Sequence, residues 1–277
     1  MSYQRETQDK ELPLLEHIKE LLTRIKRVVM ILAFFFILYF MFGIAFIQIG
    51  SFTVPILYPS LYNSIAVVFV RDFIDRELPV GLKPITINTL DPIFSGLSVA
   101  AYLALFSASP FIAREFWAFV APGLYEHEKK FIRMTIVPAV LLFAAGSAFA
   151  YFIIIPFMFL FVYRYDIALN IDPTLSFKSI VSTILLLMTA TGMAFELPLV
   201  MAGMTKLGLV KPQTWLQNWR WGVMISFIIA WIISPGTTGG LIETTIGTIL
   251  SALYFAGIGV SYLIAKKSNN SKKVITK

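Results

Sequence analysis

The chain has 277 residues, 57% of them apolar and only 14% charged, with 25 Phe, a mean hydropathy of +0.77 and a net charge of +7. About a quarter of the residues of a soluble domain are charged, so this composition excludes one and points to a polytopic membrane protein. Without cysteine there are no disulfides or thiolate metal sites, the two histidines (His17, His127) lie far apart in sequence, which argues against metal chemistry, and no Gly-x-x-x-x-Gly-Lys-Ser/Thr phosphate loop occurs.

Residues 12–27 come first. Leu14, Leu15, Ile18, Leu21, Leu22 and Ile25 recur at helical spacing, with Glu16, Lys19, Glu20, Arg24, Lys26 and Arg27 filling the other face. This pattern predicts an amphipathic helix lying in the membrane interface, with Glu20 presented to solvent. Glu16, Glu20 and Arg24 also stand at i, i+4, i+8, so simple ion pairing within the helix is the alternative role for Glu20.

Six apolar runs follow, at about 28–49, 92–113, 134–163, 180–205, 217–233 and 244–265, before a basic tail at 266–277 that is expected to be irregular and to lie near anionic lipid. The first is too long for the apolar region of a cleaved secretory signal, and five more spans come after it. Residues 52–70 are uncharged too and could form a seventh span. With six spans and both termini in the cytoplasm, 18 of the 23 Lys and Arg lie on the cytoplasmic side, whereas a seventh span abolishes that bias. Residues 50–90 are therefore expected to be one external loop, packed on the membrane surface by its stretch at 65–74. The fifth span is short and is flanked by Trp215, Trp219 and Trp221, which predicts local bilayer thinning. The sequence thus describes an all-α chain forming a single integral membrane domain over residues 1–277, with six transmembrane helices preceded by an amphipathic helix.

Two segments carry chemistry. The connection between the second and third spans mixes Phe116, Trp117, Phe119 and Tyr125 with Glu115, Glu126 and Glu128. Carboxylates beside aromatics suit a cationic peptide, because a guanidinium binds a carboxylate through two hydrogen bonds and stacks on rings. Pairing of Glu126 and Glu128 with Lys129, Lys130 or Arg133 is the alternative. Inside the fourth run stands Glu196, the one ionisable residue deep within a span. A carboxyl at that depth costs about 3 kcal/mol on insertion scales, so it faces protein or water and marks a functional site. Alternatively, a protonated Glu196 bonds the Ala194 carbonyl, which Pro198 leaves without its helical donor.

The stretch Phe116-Trp-Ala-Phe-Val-Ala-Pro-Gly-Leu-Tyr-Glu-His-Glu-Lys-Lys130 resembles the first cytoplasmic loop of the TatC family, the receptor subunits of the twin-arginine protein translocase. His17-Ile-Lys-Glu-Leu-Leu-Thr-Arg24 is similar to that family's N-terminal His-Leu-x-Glu-Leu-Arg-x-Arg signature, and Phe195-Glu-Leu-Pro198 to its Phe-Glu-x-Pro. The three motifs stand in the family's order and cover nearly the whole chain. The resemblance implies a non-enzymatic receptor in a prokaryotic cytoplasmic membrane. It would bind twin-arginine signal peptides of folded cargo and nucleate a proton-gradient-driven export complex. By the same resemblance Glu20 and Glu128 contact the arginine pair, and Phe119, Leu124 and Trp117 contribute to signal-peptide binding. Glu196 would line a face where small single-span TatA/TatB-type subunits dock. Self-association and lipid contact are implied as well; cofactors, metals and nucleic acid are not. Two departures stand out: Leu22 replaces the family's Arg after Glu-Leu, and Gly236 and Thr237 follow Pro235 where many members carry an acid. The competing reading is a small-solute secondary transporter using Glu196, which would call for polar groups on several spans and an internal repeat.

Overall fold

The computed structural model describes residues 14–49, 52–120, 126–234 and 240–275. Helix α1 (Leu14–Met41) joins the amphipathic segment and the first apolar run into one rod. The helix expected to reach Ile49 stops at Met41, where the chain enters a hairpin of β1 (Phe42–Ile49) and β2 (Phe52–Pro59). Residues 42–59 are rich in Ile, Phe, Val and Tyr and contain Pro55 and Pro59, a composition that favours extended backbone over helix.

Helix α2 (Ile65–Glu77) starts at Ser64, whose Oγ accepts from the Val67 N–H at 3.4 Å. It buries Ala66, Val70 and Phe73, with the Phe73 ring 5.3 Å from that of Tyr151 and 6.3 Å from that of Phe159. The apolar stretch at 65–74, expected on the membrane surface, therefore turns its buried face to the protein. Strand β3 (Lys83–Ile85) pairs in parallel with β4 (Thr174–Ser176), fastening the two connections that carry them.

Helix α3 (Asp91–Val120) opens with a buried Asp91, whose Oδ2 accepts from the Asn88 N–H at 3.1 Å in the manner of a capping box. The third run becomes α4 (Glu126–Phe149), a π-helical turn at Ala150–Ile154 and α5 (Ile155–Ala168). Pro156 lacks the N–H that would continue the regular ladder, and the wider turn lies just before it. The fourth run is likewise two helices, α6 (Phe177–Phe195) and α7 (Leu197–Lys206), with Glu196 at the break. Next come α8 (Pro212–Gln217), α9 (Trp219–Ile233) and α10 (Leu241–Ile275). The last helix runs straight into the basic tail, so residues 266–275, expected to be irregular, have helical backbone.

Among the described residues four helical stretches are long and apolar enough to cross a membrane: Asp91–Phe116, Thr135–Ala168, Phe177–Lys206 and Leu241–Lys266; Trp219–Ile233 is apolar but shorter. No more than 33% of any of the four is buried, so most of their surface is left for lipid and partners. The main core joins Phe73 of α2 to Tyr102 of α3, Ile155 and Phe159 of α5, Leu187 of α6, Ala230 of α9 and Ile246 of α10.

Candidate functional site

Helix α1 lies along α3. Tyr39 and Ser107 share a hydrogen bond of 2.6 Å, and the Phe35 and Phe111 rings are 6.3 Å apart. One end of this seam is ionic. Arg24 donates to Glu20 Oε1 from Nε (3.0 Å) and from Nη2 (2.6 Å), while its Nη1 donates to Glu115 Oε2 at 3.2 Å. Arg27 stands 3.8 Å from the same Glu115 oxygen. Glu20, Arg24 and Glu115 are all mostly buried, with side-chain exposures of 26%, 20% and 13%.

This geometry bears on the departure at position 22. Leu22 is exposed and cannot hold a carboxylate, but Arg24, one helical turn beyond Glu20, grips it directly. It also shows what sequence reasoning passed over. Glu115 was one acid among several in its segment and was not a candidate site residue; only the contact between α1 and α3 brings it to Arg24. Phe119, partly buried, lies in the last turn of α3, on the same helix end as Glu115. Leu124 lies outside the described residues, and of Trp117 and Glu128 only the backbone is described, Glu128 in the first turn of α4.

The second candidate, Glu196, sits 81 positions beyond Glu115 in sequence yet opens onto the same helix. A groove of about 390 Å³ between α3, α4 and α6 is lined by Ser109, Phe116, Val140, Phe143, Met193 and Glu196. The carboxyl lies against the main chain of Phe143. Phe116 neighbours Glu115 in the chain, so the groove reaches from Glu196 to the turn of α3 that carries the ionic cluster.

What shapes the groove is the close approach of α4 and α6. A Cβ added to Gly146 would meet the Thr191 carbonyl oxygen at 2.7 Å and the Gly192 Cα at 2.9 Å. Beside this crossing the buried Ser147 Oγ donates to the Met188 carbonyl at 3.1 Å. Small residues let backbones approach in lipid, where apolar attraction between helices is weak.

A second acid escaped the sequence reading. Glu243, 4% exposed in the first turn of α10, accepts a 2.7 Å hydrogen bond from Ser234 at the end of α9. An acid near a helix N-terminus is favoured by the helix dipole. Its signal in the sequence was a lone Glu just after a Gly-rich turn, at the boundary of the sixth run. Among the described residues no group of three or more His, Asp or Glu could hold a metal ion.

The profile of the family described as "Sec-independent protein translocase protein (TatC)" matches residues 16–242. The chain is 30% identical over 267 residues to the Sec-independent protein translocase protein TatC of Aquifex aeolicus, covering 96% of this chain and all of that one. With the TatC protein of Halothiobacillus neapolitanus identity is 34% over 167 residues, covering 60% of this chain; the match spans less than half (45%) of that protein. Among solved structures, a crystal structure of "Twin Arginine Translocase Receptor- TatC" superposes with a TM-score of 0.68 at 25% identity, covering 90% of this chain and 99% of that one.

Proposed function

This chain belongs to the TatC family of Sec-independent protein translocase proteins, and from that premise we propose that it is the receptor subunit that binds twin-arginine signal peptides of folded cargo. The observation that carries the reading is the Arg24 guanidinium held between Glu20 and Glu115. A pair of carboxylates already arranged around one guanidinium is the complement of an arginine side chain arriving on a peptide. Glu128, at the start of α4, would supply a further carboxylate, and Phe119, Leu124 and Trp117 the apolar and aromatic contacts.

In this reading both termini face the cytoplasm of a prokaryote, and six segments cross its membrane: the four long apolar helices, the shorter α9 and the apolar part of α1. Small single-span TatA/TatB-type subunits dock along the Glu196 groove, whose lining is apolar apart from the carboxyl and two hydroxyl side chains. The groove and the ionic cluster adjoin on α3, so signal binding at the cluster and subunit docking in the groove would act on one rigid element. The assembled complex uses the proton gradient; this chain performs no catalytic step and needs no cofactor.

The test is site-specific photo-crosslinking in native membranes between a twin-arginine peptide and probes at Phe119 and Leu124. Crosslinks should require both arginines and fade with Glu128→Ala. Replacing Arg-Arg by Lys-Lys should weaken them too, because lysine lacks the planar fork. Equal crosslinking in all three cases would refute recognition of the arginine pair.

A further inference from the structure

The β1–β2 ribbon is the most unusual surface of the molecule. No charged residue occurs from Val28 to Val70, and the ribbon exposes apolar side chains on both faces. The register places Ala45 opposite Ile56 and Ile47 opposite Val54 on one face, and Ile44 opposite Leu57 and Phe46 opposite Pro55 on the other. Phe46 is 71% exposed and Leu57 52%. Such a ribbon in water is an aggregation hazard, so something covers it.

Two observations identify the cover. The uncharged part of α1, residues 28–41, rises only about 21 Å against a hydrocarbon core of about 30 Å, so the ribbon begins while the chain is still at membrane depth. Exposed Phe34, Ile37 and Met41 of α1 lead directly into the exposed apolar side chains of the ribbon, Ile47, Val54 and Ile56 among them. The free edge of β2 supplies the second observation. Ser60 N–H donates to the Met41 carbonyl at 2.8 Å, which makes residues 41 and 60 a hydrogen-bonded pair. Pairs alternate along an antiparallel ladder, so Phe42–Pro59 and Phe46–Pro55 are non-hydrogen-bonded and both proline nitrogens lie on the outer edge. A strand docking there would lack two donors. Lipid makes no such demand, and water in the headgroup layer satisfies the amides that remain.

We propose that the β1–β2 ribbon is an interfacial anchor lying in the headgroup layer of the leaflet remote from the charged half of α1. Its face of Ala45, Ile47, Val54 and Ile56 turns to the acyl chains. The opposite face, which carries Gln48 and Thr53, turns to the headgroups. This anchor is independent of signal recognition.

The chain contains no cysteine, so single nitroxide labels report cleanly. Labels at Ile47→Cys, Val54→Cys and, as the aqueous reference on exposed Asp75 of α2, Asp75→Cys are compared in nanodiscs holding one copy. Power-saturation measurements compare collision with oxygen, which concentrates in lipid, and with a water-soluble nickel chelate. Ile47 and Val54 should favour oxygen and Asp75 nickel. Nickel accessibility at Ile47 and Val54 equal to that at Asp75 would overturn the proposal. So would protection from nickel that arises only in discs holding two copies, which would assign the ribbon to a contact between chains. Val54→Cys reads the same face should Ile47→Cys not be recovered.

Discussion

Arg24 binds Glu20 one helical turn away, through two nitrogens to one carboxylate oxygen, and leaves its third nitrogen for Glu115 on a different helix. Within the proposed receptor, Arg24 is therefore both the clamp that orients Glu20 and a resident competitor for it. Arg24→Gln should remove the guanidinium that the two carboxylates share, while Arg27 stays beside Glu115, and tighten binding of a twin-arginine peptide about two- to fivefold. That factor corresponds to the ~0.5–1 kcal/mol of a partly exposed ion pair. Isothermal titration in low salt checks it, and the gain should shrink at high salt. Weaker binding by Arg24→Gln would mean that orientation outweighs competition.

Glu115→Gln acts in the opposite sense. With Glu115 neutral, Arg24 pairs with Glu20 alone, and the peptide meets one carboxylate fewer. Affinity should fall several-fold in the same titration, while thermal stability in detergent changes little because Arg24 keeps Glu20 as a partner. A loss of stability as large as the loss of affinity would make Glu115 a structural residue.

For Glu196 the groove geometry separates two functions. Glu196→Gln preserves shape and removes the capacity to ionise, so twin-arginine peptide binding at the ionic cluster should persist. Crosslinking of a single-span partner subunit to a probe at Val140 should drop. Loss of peptide binding together with the subunit crosslink would show that the groove and the ionic cluster are not separable.

Gly146→Val tests what holds the groove in shape. Its Cβ would meet the backbone of Thr191 and Gly192 as well as the Phe195 ring, and backbone cannot swing aside, so α4 and α6 must part. Overpacking of this kind costs typically ~1–3 kcal/mol. The melting temperature in detergent should fall, whereas Gly203→Val, at a position with open space around it, should have a much smaller effect.

Glu243→Ala removes the acceptor of the Ser234 hydroxyl and the acid of the first turn of α10. Leaving a buried hydrogen-bonding group without its partner costs about 1–3 kcal/mol. Hydrogen exchange should accelerate at the α9–α10 junction, and Glu243→Gln should recover part of the protection. Unchanged exchange in both variants would rule out this link as a fastening of the two helices.

Much of this molecule was legible in its sequence, for a simple reason. Long uncharged runs must become helices in lipid, because every backbone group must be satisfied internally, so composition alone identified the class and located the apolar helices. The motifs around Glu20, Phe119 and Glu196 resembled the TatC family for the same kind of local reason: they are contiguous. Local pattern also identified the i, i+4 relation of Glu20 to Arg24, and the structure realises it as an ion pair.

What the sequence could not decide depended on contacts between segments far apart in the chain. Uncharged residues 42–59 satisfy a hydropathy rule for helix or loop equally well. Only pairing of one strand with the other makes a ribbon of them, and cross-strand hydrogen bonds leave no mark on composition. The apolar stretch at 65–74 fits membrane and protein alike; the rings of Tyr151 and Phe159 take the Phe73 side of it, while Val68 stays exposed. Glu115 was unremarkable until α1 packed along α3 and set it 3.2 Å from Arg24. Glu243 was a boundary residue until Ser234 reached it across a turn. Hydropathy and periodicity are properties of one segment and can be read from it; burial and the partner of a charge are properties of two, and only the tertiary structure supplies the second.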